Sequence, residues 1–151
     1  MINATQDNLI PTQIIGRDIV FFDGSCALCH GLVRKVLQND IENHFLLCAQ
    51  QSEMGYLLLN RHNIDVESLK TIYVIKDCGT DNELIFSRSK AVIYVMKRMP
   101  KYRWLAALLG PLPSPMVDFG YNIVAAVRYR IFGKTETCLM PSPEERARVI
   151  G

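Results

Sequence analysis

Cys26 and Cys29 stand at Cys-x-x-Cys spacing inside IVFFDGSCALCHGLV, residues 19–33. Three residues along a helix nearly complete a turn, so two thiols at this spacing share a side and can close a small disulfide ring. At a helix start, unpaired backbone N–H groups and the positive end of the helix dipole favour the thiolate of the first cysteine. The gain is large. A free thiol with a pKa near 8.5 is only about 3% thiolate at pH 7, and a drop of about two units makes it mostly thiolate. Two other roles use the same spacing. The pair can supply half of a four-ligand zinc site, or it can fill a tight strand–helix joint as two small residues.

The two positions are not equivalent. Cys29 lies one turn before Leu32 and Val33 and is expected to lean toward a packed face, whereas Cys26 precedes the apolar stripe and is expected to be more exposed. That asymmetry makes Cys26 the attacking nucleophile and Cys29 the resolving thiol of a mixed disulfide. Asp23 can cap the helix, or accept the proton of Cys29 if burial raises its own pKa. As a plain Asp-Gly turn it would leave Gly24 to supply an unusual backbone angle. A zinc site would need Cys138 and His30 to complete the set, since the chain has no second Cys-x-x-Cys. Cys48, inside FLLCA, reads as a buried, inert thiol, and Cys78 and Cys138 as ordinary thiols.

The elements around the pair follow from hydrophobic spacing. Ile19–Phe22 is a β-branched and aromatic run closed by Asp-Gly, which suits a buried strand. Leu28, Leu32, Val33, Val36 and Leu37 recur at helical spacing from Ala27 to about Asn39, with the helix starting at the cysteines. Phe45–Ala49 reads as a second strand and residues 52–62 as a helix with a weak start. Thr71–Ile75 and Leu84–Phe86 then form a hairpin about KDCGTDN. SRSKAVIYVMKRM begins with a serine cap and carries Val92, Val95, Met96 and Met99 on one side. The order β-α-β-α-β-β-α is that of an α/β thioredoxin-like sheet with helices on both faces.

The last third is helical and packs on the same core. A short apolar helix is broken by prolines, and Ser114-Pro115 opens a longer one that runs to about Phe132 and stops at Gly133. SPEERARVI repeats the device, with Ser142 as cap, Pro143 at the first position and Glu145 as capping-box partner. We expect a loose, flexible leader over residues 1–17 and a single thioredoxin-like domain, C-terminal helices included, over 18–151. Met96, Met99 and Trp104 read as core residues rather than as a docking patch.

Composition narrows the function. With 49% hydrophobic and 21% charged residues the chain is ordinary for a globular domain, and its net charge of +2 is too small to argue for nucleic acid. No apolar run reaches the roughly 18 residues of a membrane span, and the N-terminus lacks a secretory pattern. The expected compartment is the cytoplasm.

FFDGSCALCHGLVRKVL resembles the signature of the DCC family of thiol-disulfide oxidoreductases, named for its Asp-Cys-Cys residues. The resemblance extends to SRSKAVIYVMKRM, to LPSPMVDFGYNIVAAVRYRIFGK and to CLMPSPEERARVI, and so covers roughly Asp18 to Ile150. It implies a thioredoxin-like fold and protein-disulfide reductase chemistry on Asp23, Cys26 and Cys29. It also implies no cofactor beyond the redox disulfide, with an unspecified thiol or disulfide substrate and electron donor. One departure stands out. Thioredoxins carry a cis-proline just before the third strand; ESLKTIYVI has none here, so the backbone from Leu69 to Thr71 must face the cysteines. Gly24, Ser25, Gln51, Thr71, Arg88 and Arg128 are the further candidates for binding substrate or stabilising thiolate. Gln50, Ser52, Tyr129 and Arg130 lie beside them, and Asp118 is a candidate ion-pair partner for the arginines. Two rival classes are open: a redox-inert binding module on this scaffold, and a metal-binding domain.

Overall fold

The computed structural model describes residues 10–24, 27–65, 71–132, 143 and 147–150. Four strands, β1 (Asp18–Phe22), β2 (Phe45–Ala49), β3 (Tyr73–Lys76) and β4 (Leu84–Ser87), form one sheet in the order β2-β1-β3-β4. β1 and β2 are parallel, with Val20 opposite Leu47. β1–β3 and β3–β4 are antiparallel, with Val20 opposite Val74 and Val74 opposite Phe86. The helices are α1 (Ala27–Asn39), α2 (Glu53–Asn60), α3 (Arg88–Arg98), α4 (Arg103–Leu109) and α5 (Ser114–Phe132). This is a thioredoxin-like sheet with added C-terminal helices, as the sequence pattern leads one to expect.

Strand alternation builds two cores. Val20, Phe22, Phe45, Leu47 and Val74 face one side, where Val33 and Val36 of α1, Ala91 and Val95 of α3 and Ala106 of α4 cover them. Ile19, Phe21, Leu46, Cys48 and Ile75 face the other, against Leu58 and Leu59 of α2 and the isoleucines Ile10 and Ile14. Every residue of β1 is buried because helices cover both faces of a central strand.

Several expectations need correction at the edges of elements. The segment from Ile10 is packed, not loose. Ile10 and Ile14 are buried, Thr12–Ile14 forms a turn of 3-10 helix, and the Gly16 N–H donates to the Cys78 carbonyl at 2.7 Å. Two buried isoleucines outweigh the polar residues between them. Ser87 precedes α3 but its side chain makes no capping hydrogen bond, and Arg88 takes a left-handed φ of 54° at the start of that helix. At α5 the Pro113 carbonyl accepts from Val117 N–H at 3.3 Å, so Pro113, not Ser114, stands at the cap. Residues 147–150, expected to be helical, instead turn and pair with the sheet, Val149 bridging Leu47. Gly133 and Ser142 lie outside the described residues. Met96 and Met99 are core residues as expected; Trp104 is 67% exposed.

A buried acid holds each side of the turn between β3 and β4. Asp18 accepts from Asp77 N–H at 3.0 Å, from the Tyr94 hydroxyl and, at 2.6 Å, contacts His44 Nε2. Glu83 contacts His62 Nε2 at 2.6 Å and accepts from Gly79 N–H and Arg61. Burial alone would raise both pKa values. These partners outweigh it and hold Asp18 below its ordinary 3.8 and Glu83 below its ordinary 4.5. A carboxyl with a lowered folded pKa contributes stability that is present above its unfolded value and is lost as pH falls through the folded one. The urea midpoint should therefore drop between about pH 6 and about pH 3, and Glu83→Gln, though less stable near neutrality, should show a shallower drop. An unchanged slope in that variant would remove Glu83 as the cause.

Candidate active site

The first and second strands run parallel and end together, and the third begins beside them. That sheet end brings together Asp23, Gly24, Gln51 and Thr71 of the residues singled out for chemistry. β1 delivers Asp23, which is buried, and Gly24; α1 then starts at Ala27 and carries Cys29 in its first turn. The helical placement of Cys29 agrees with its spacing. Ser25 and Cys26 lie outside the described residues, as do Cys138 and the side chains of Cys29 and His30.

Gln51, just past β2, clamps the exit of β1. Its Nε2 donates to Asp23 Oδ1 at 2.9 Å, and its Oε1 accepts from the Gly24 N–H at 3.0 Å. One amide thus fixes a carboxylate and the backbone beside it. Gly24 does not take the left-handed angle expected of it. Its missing Cβ serves close approach instead, since a Cβ there would lie 3.3 Å from Gln51 Oε1.

Gln50 joins three strand ends. Its N–H donates to the Phe22 carbonyl at 2.9 Å, and its side chain, fully buried, donates to the Thr71 carbonyl and at 3.5 Å to that of Phe21. Two carbonyls facing the same nitrogen set the orientation of the amide. Its Oε1 is buried and has no hydrogen-bond partner among the described residues. Behind both glutamines, Ser52 caps α2 by accepting from Gly55 N–H at 3.0 Å. Gly55 itself admits no side chain, because a Cβ would come within 2.3 Å of the Ala49 carbonyl. This contact seats α2 against the end of β2 and so positions the glutamine pair.

Thr71 is held from the other side by a residue that sequence reading passed over. The Tyr121 hydroxyl, from α5, lies 2.7 Å from Thr71 Oγ1 and accepts from Ile72 N–H at 3.0 Å. The chain entering β3 is therefore pinned by the added C-terminal helix. The available signal was the spacing of Val117, Tyr121 and Ala125, which puts a tyrosine on the inward stripe of that helix.

Arg88 sits at the same sheet end, exposed, with its N–H donating to the Ile72 carbonyl at 3.2 Å. Burial raises the pKa of nearby Tyr73, and the Arg88 charge works against that rise. Asp118, considered as an ion-pair partner for the arginines, accepts from the Ser89 hydroxyl. The side chains of Arg128 and Tyr129 lie outside the described residues, and Arg130 is exposed.

Beside this end runs an apolar groove of about 530 Å³ between α3 and α5. It includes Ile72 and Tyr121, already part of the site, and Leu32, one turn beyond Cys29 on α1. Val92, Met96 and Val117 supply much of its wall.

The remaining described cysteines behave as structural thiols. Burial pushes the Cys48 thiol up to about 11, and burial together with the nearby Glu83 carboxylate pushes Cys78 up to about 12. Neither carries appreciable thiolate at neutral pH. Among the described residues no group of three or more His, Cys, Asp or Glu could hold a metal ion, and no helix is long and apolar enough to cross a membrane.

Comparison with known proteins bears on the same region. A family model described as DCC1-like thiol-disulfide oxidoreductase matches residues 20–134. The uncharacterized protein YuxK of Bacillus subtilis is 29% identical over 139 residues, which are 92% of this chain and 98% of that protein. A chloroplastic DCC family protein of Arabidopsis thaliana is 32% identical over 123 residues, 81% of this chain and 69% of that one. No solved structure matches significantly.

Proposed function

Because this chain belongs to the DCC1-like thiol-disulfide oxidoreductase family, we propose that it is an enzyme that reduces protein disulfides through Cys26 and Cys29. The observation that carries this reading is the Cys-x-x-Cys that follows β1 and enters α1 on a thioredoxin-like sheet. The Cys26 thiolate attacks one sulfur of the substrate disulfide. A mixed disulfide forms, and the other substrate sulfur leaves as thiolate and takes a proton. Cys29, deprotonated, then attacks Cys26, releases the second substrate thiol and leaves the enzyme disulfide. Two electrons have passed from the pair to the substrate, and an external dithiol must return them. No further cofactor enters the cycle.

Asp23 is the group we assign to take the proton of Cys29, with Gln51 as the positioning residue that orients it. Gly24 gives the end of β1 its close approach to Gln51, and Ser25 is assigned to substrate binding. Thr71, held by Gln50 and Tyr121, is assigned to supply the backbone for substrate where thioredoxins use proline. Arg88 and Arg128 are assigned to the electrostatic environment of the thiolate or to an acidic substrate. The groove past Leu32 is the surface against which an apolar stretch of substrate would lie. A cytoplasmic setting, with its thiol reductants, suits the reducing direction.

A redox titration of the full chain, with free thiols trapped by alkylation and counted by mass spectrometry, tests the proposal. The expected result is a reversible two-electron transition of Cys26 and Cys29 at a potential between about −270 and −120 mV. A pair that never forms a disulfide in that range would leave the scaffold as a redox-inert binding module.

A further inference from the structure

Helices α4 and α5 and the joint between them carry large apolar side chains that stay exposed, Leu112 and Met116 among them also lining the groove. Trp104 and Leu108, four residues apart on α4, are 67% and 63% exposed. Met116, Phe119 and Ile123 follow at helical spacing on α5, each at least half exposed. The joint between the helices, residues 110–113, adds exposed Leu112. Single exposed apolar residues are ordinary on any surface, but six in sequence along two consecutive helices are not.

The charge of the same stretch is lopsided. Between residues 97 and 130 lie Lys97, Arg98, Lys101, Arg103, Arg128 and Arg130 against one acid, Asp118, in a chain whose net charge is +2. Asp118 is engaged by Ser89. This stretch of chain is therefore strongly basic and the rest of the chain slightly acidic. Lys97, Arg98, Lys101 and Arg103 are exposed, and the last two stand within three residues of Trp104 in the chain.

We propose that α4 and α5 form a peripheral docking surface for an anionic lipid bilayer. Exposed tryptophan, phenylalanine, leucine and methionine flanked on both sides in the chain by lysine and arginine suits helices that lie in the interface plane. There the apolar side chains enter the headgroup boundary while the cations meet anionic headgroups. A second copy of the chain fits less well, because a two-fold pairing of this patch would set its cations against themselves. Neither helix need cross the bilayer, and none is long and apolar enough to do so among the described residues. The surface does not use the thiol pair.

The chain contains one tryptophan, and it stands in the patch. Trp104 emission thus reports the surface directly. Full-length reduced protein is mixed with vesicles of phosphatidylcholine alone or of phosphatidylcholine with phosphatidylglycerol, and binding is read by sedimentation and by the emission maximum. Binding to the anionic vesicles only, with a blue shift and with loss at high salt, is expected. Lys101→Glu with Arg103→Glu should weaken binding by about tenfold or more, and Leu108→Ser with Phe119→Ser should remove the blue shift. Both variants should keep the far-ultraviolet circular dichroism of the parent, and Cys26→Ser should bind as the parent does. No binding to anionic vesicles overturns the proposal. So does a protein dimer that blue-shifts Trp104 without lipid, or binding to polyglutamate in place of vesicles.

Discussion

Replacing Cys26 with serine should abolish turnover of a disulfide substrate, lowering kcat/KM by about a thousandfold or more. The hydroxyl of serine is essentially un-ionised at neutral pH, and no other described thiol can substitute. Cys48 and Cys78 are buried, with pKa values pushed up to about 11 and about 12, so Cys48→Ala and Cys78→Ala should leave turnover near the parent's. Cys29→Ser gives a different signature. The first attack proceeds, the release step does not, and the enzyme accumulates as a mixed disulfide with its substrate. Mass spectrometry of non-reduced samples reads the adduct directly. Full activity in Cys26→Ser would end the assignment of the nucleophile, and a trapped adduct in Cys26→Ser rather than Cys29→Ser would reverse the two roles.

The second large effect concerns stability. Arg148 reaches back more than a hundred residues to pair with Asp40, whose side chain is fully buried. Its guanidinium also donates to the Phe45 carbonyl at 3.1 Å and 3.3 Å and to that of Leu37 at 3.4 Å. Asp40 Oδ2 in turn accepts from Phe45 N–H at 2.9 Å, the first residue of β2. Arg148→Met removes the cation and leaves the carboxylate buried, which costs about 3–5 kcal/mol. For a domain of this size the melting temperature should fall by roughly 6–20 °C. Neutralising both partners, with Asp40→Asn added to Arg148→Met, should recover part of the loss, because the buried charge is gone. A double variant no better than Arg148→Met would mean that packing of the long side chain, and not its charge, holds the tail.

Much of the fold was legible because its strands alternate over short apolar runs and its helices carry a stripe. FLLCA and IVFF could be little but buried strands, and Leu32, Val33 and Val36 could be little but the inner face of a helix. The misread parts have one cause in common. Ile10, Ile14 and Arg148 owe their burial to partners far away in the chain, which local periodicity does not encode. Trp104 shows the converse, since a tryptophan in an apolar helix gives no sign that its side is left open. At the site, position along the sheet brought Asp23, Gln51 and Thr71 into view, because the ends of the parallel β1 and β2 and the start of the antiparallel β3 are neighbours. Gly24, read as the source of an unusual backbone angle, instead gives close approach to Gln51. Tyr121 escaped notice because it arrives from outside the β-α-β-α-β-β-α core.

The pairing of Val149 with Leu47 has a consequence for solubility as well. β2 is the edge of the sheet, and FLLCA is a run of five uncharged residues that would otherwise offer free N–H and C=O groups along its outer side. The Leu47 N–H donates to the Arg148 carbonyl at 2.7 Å, and the Leu47 carbonyl accepts from Ile150 N–H at 2.8 Å, which blocks the middle of that side. A molecule whose tail has let go presents an uncharged strand ready to template another chain, so loosening the Arg148 latch should be felt first as concentration-dependent aggregation, before the domain unfolds.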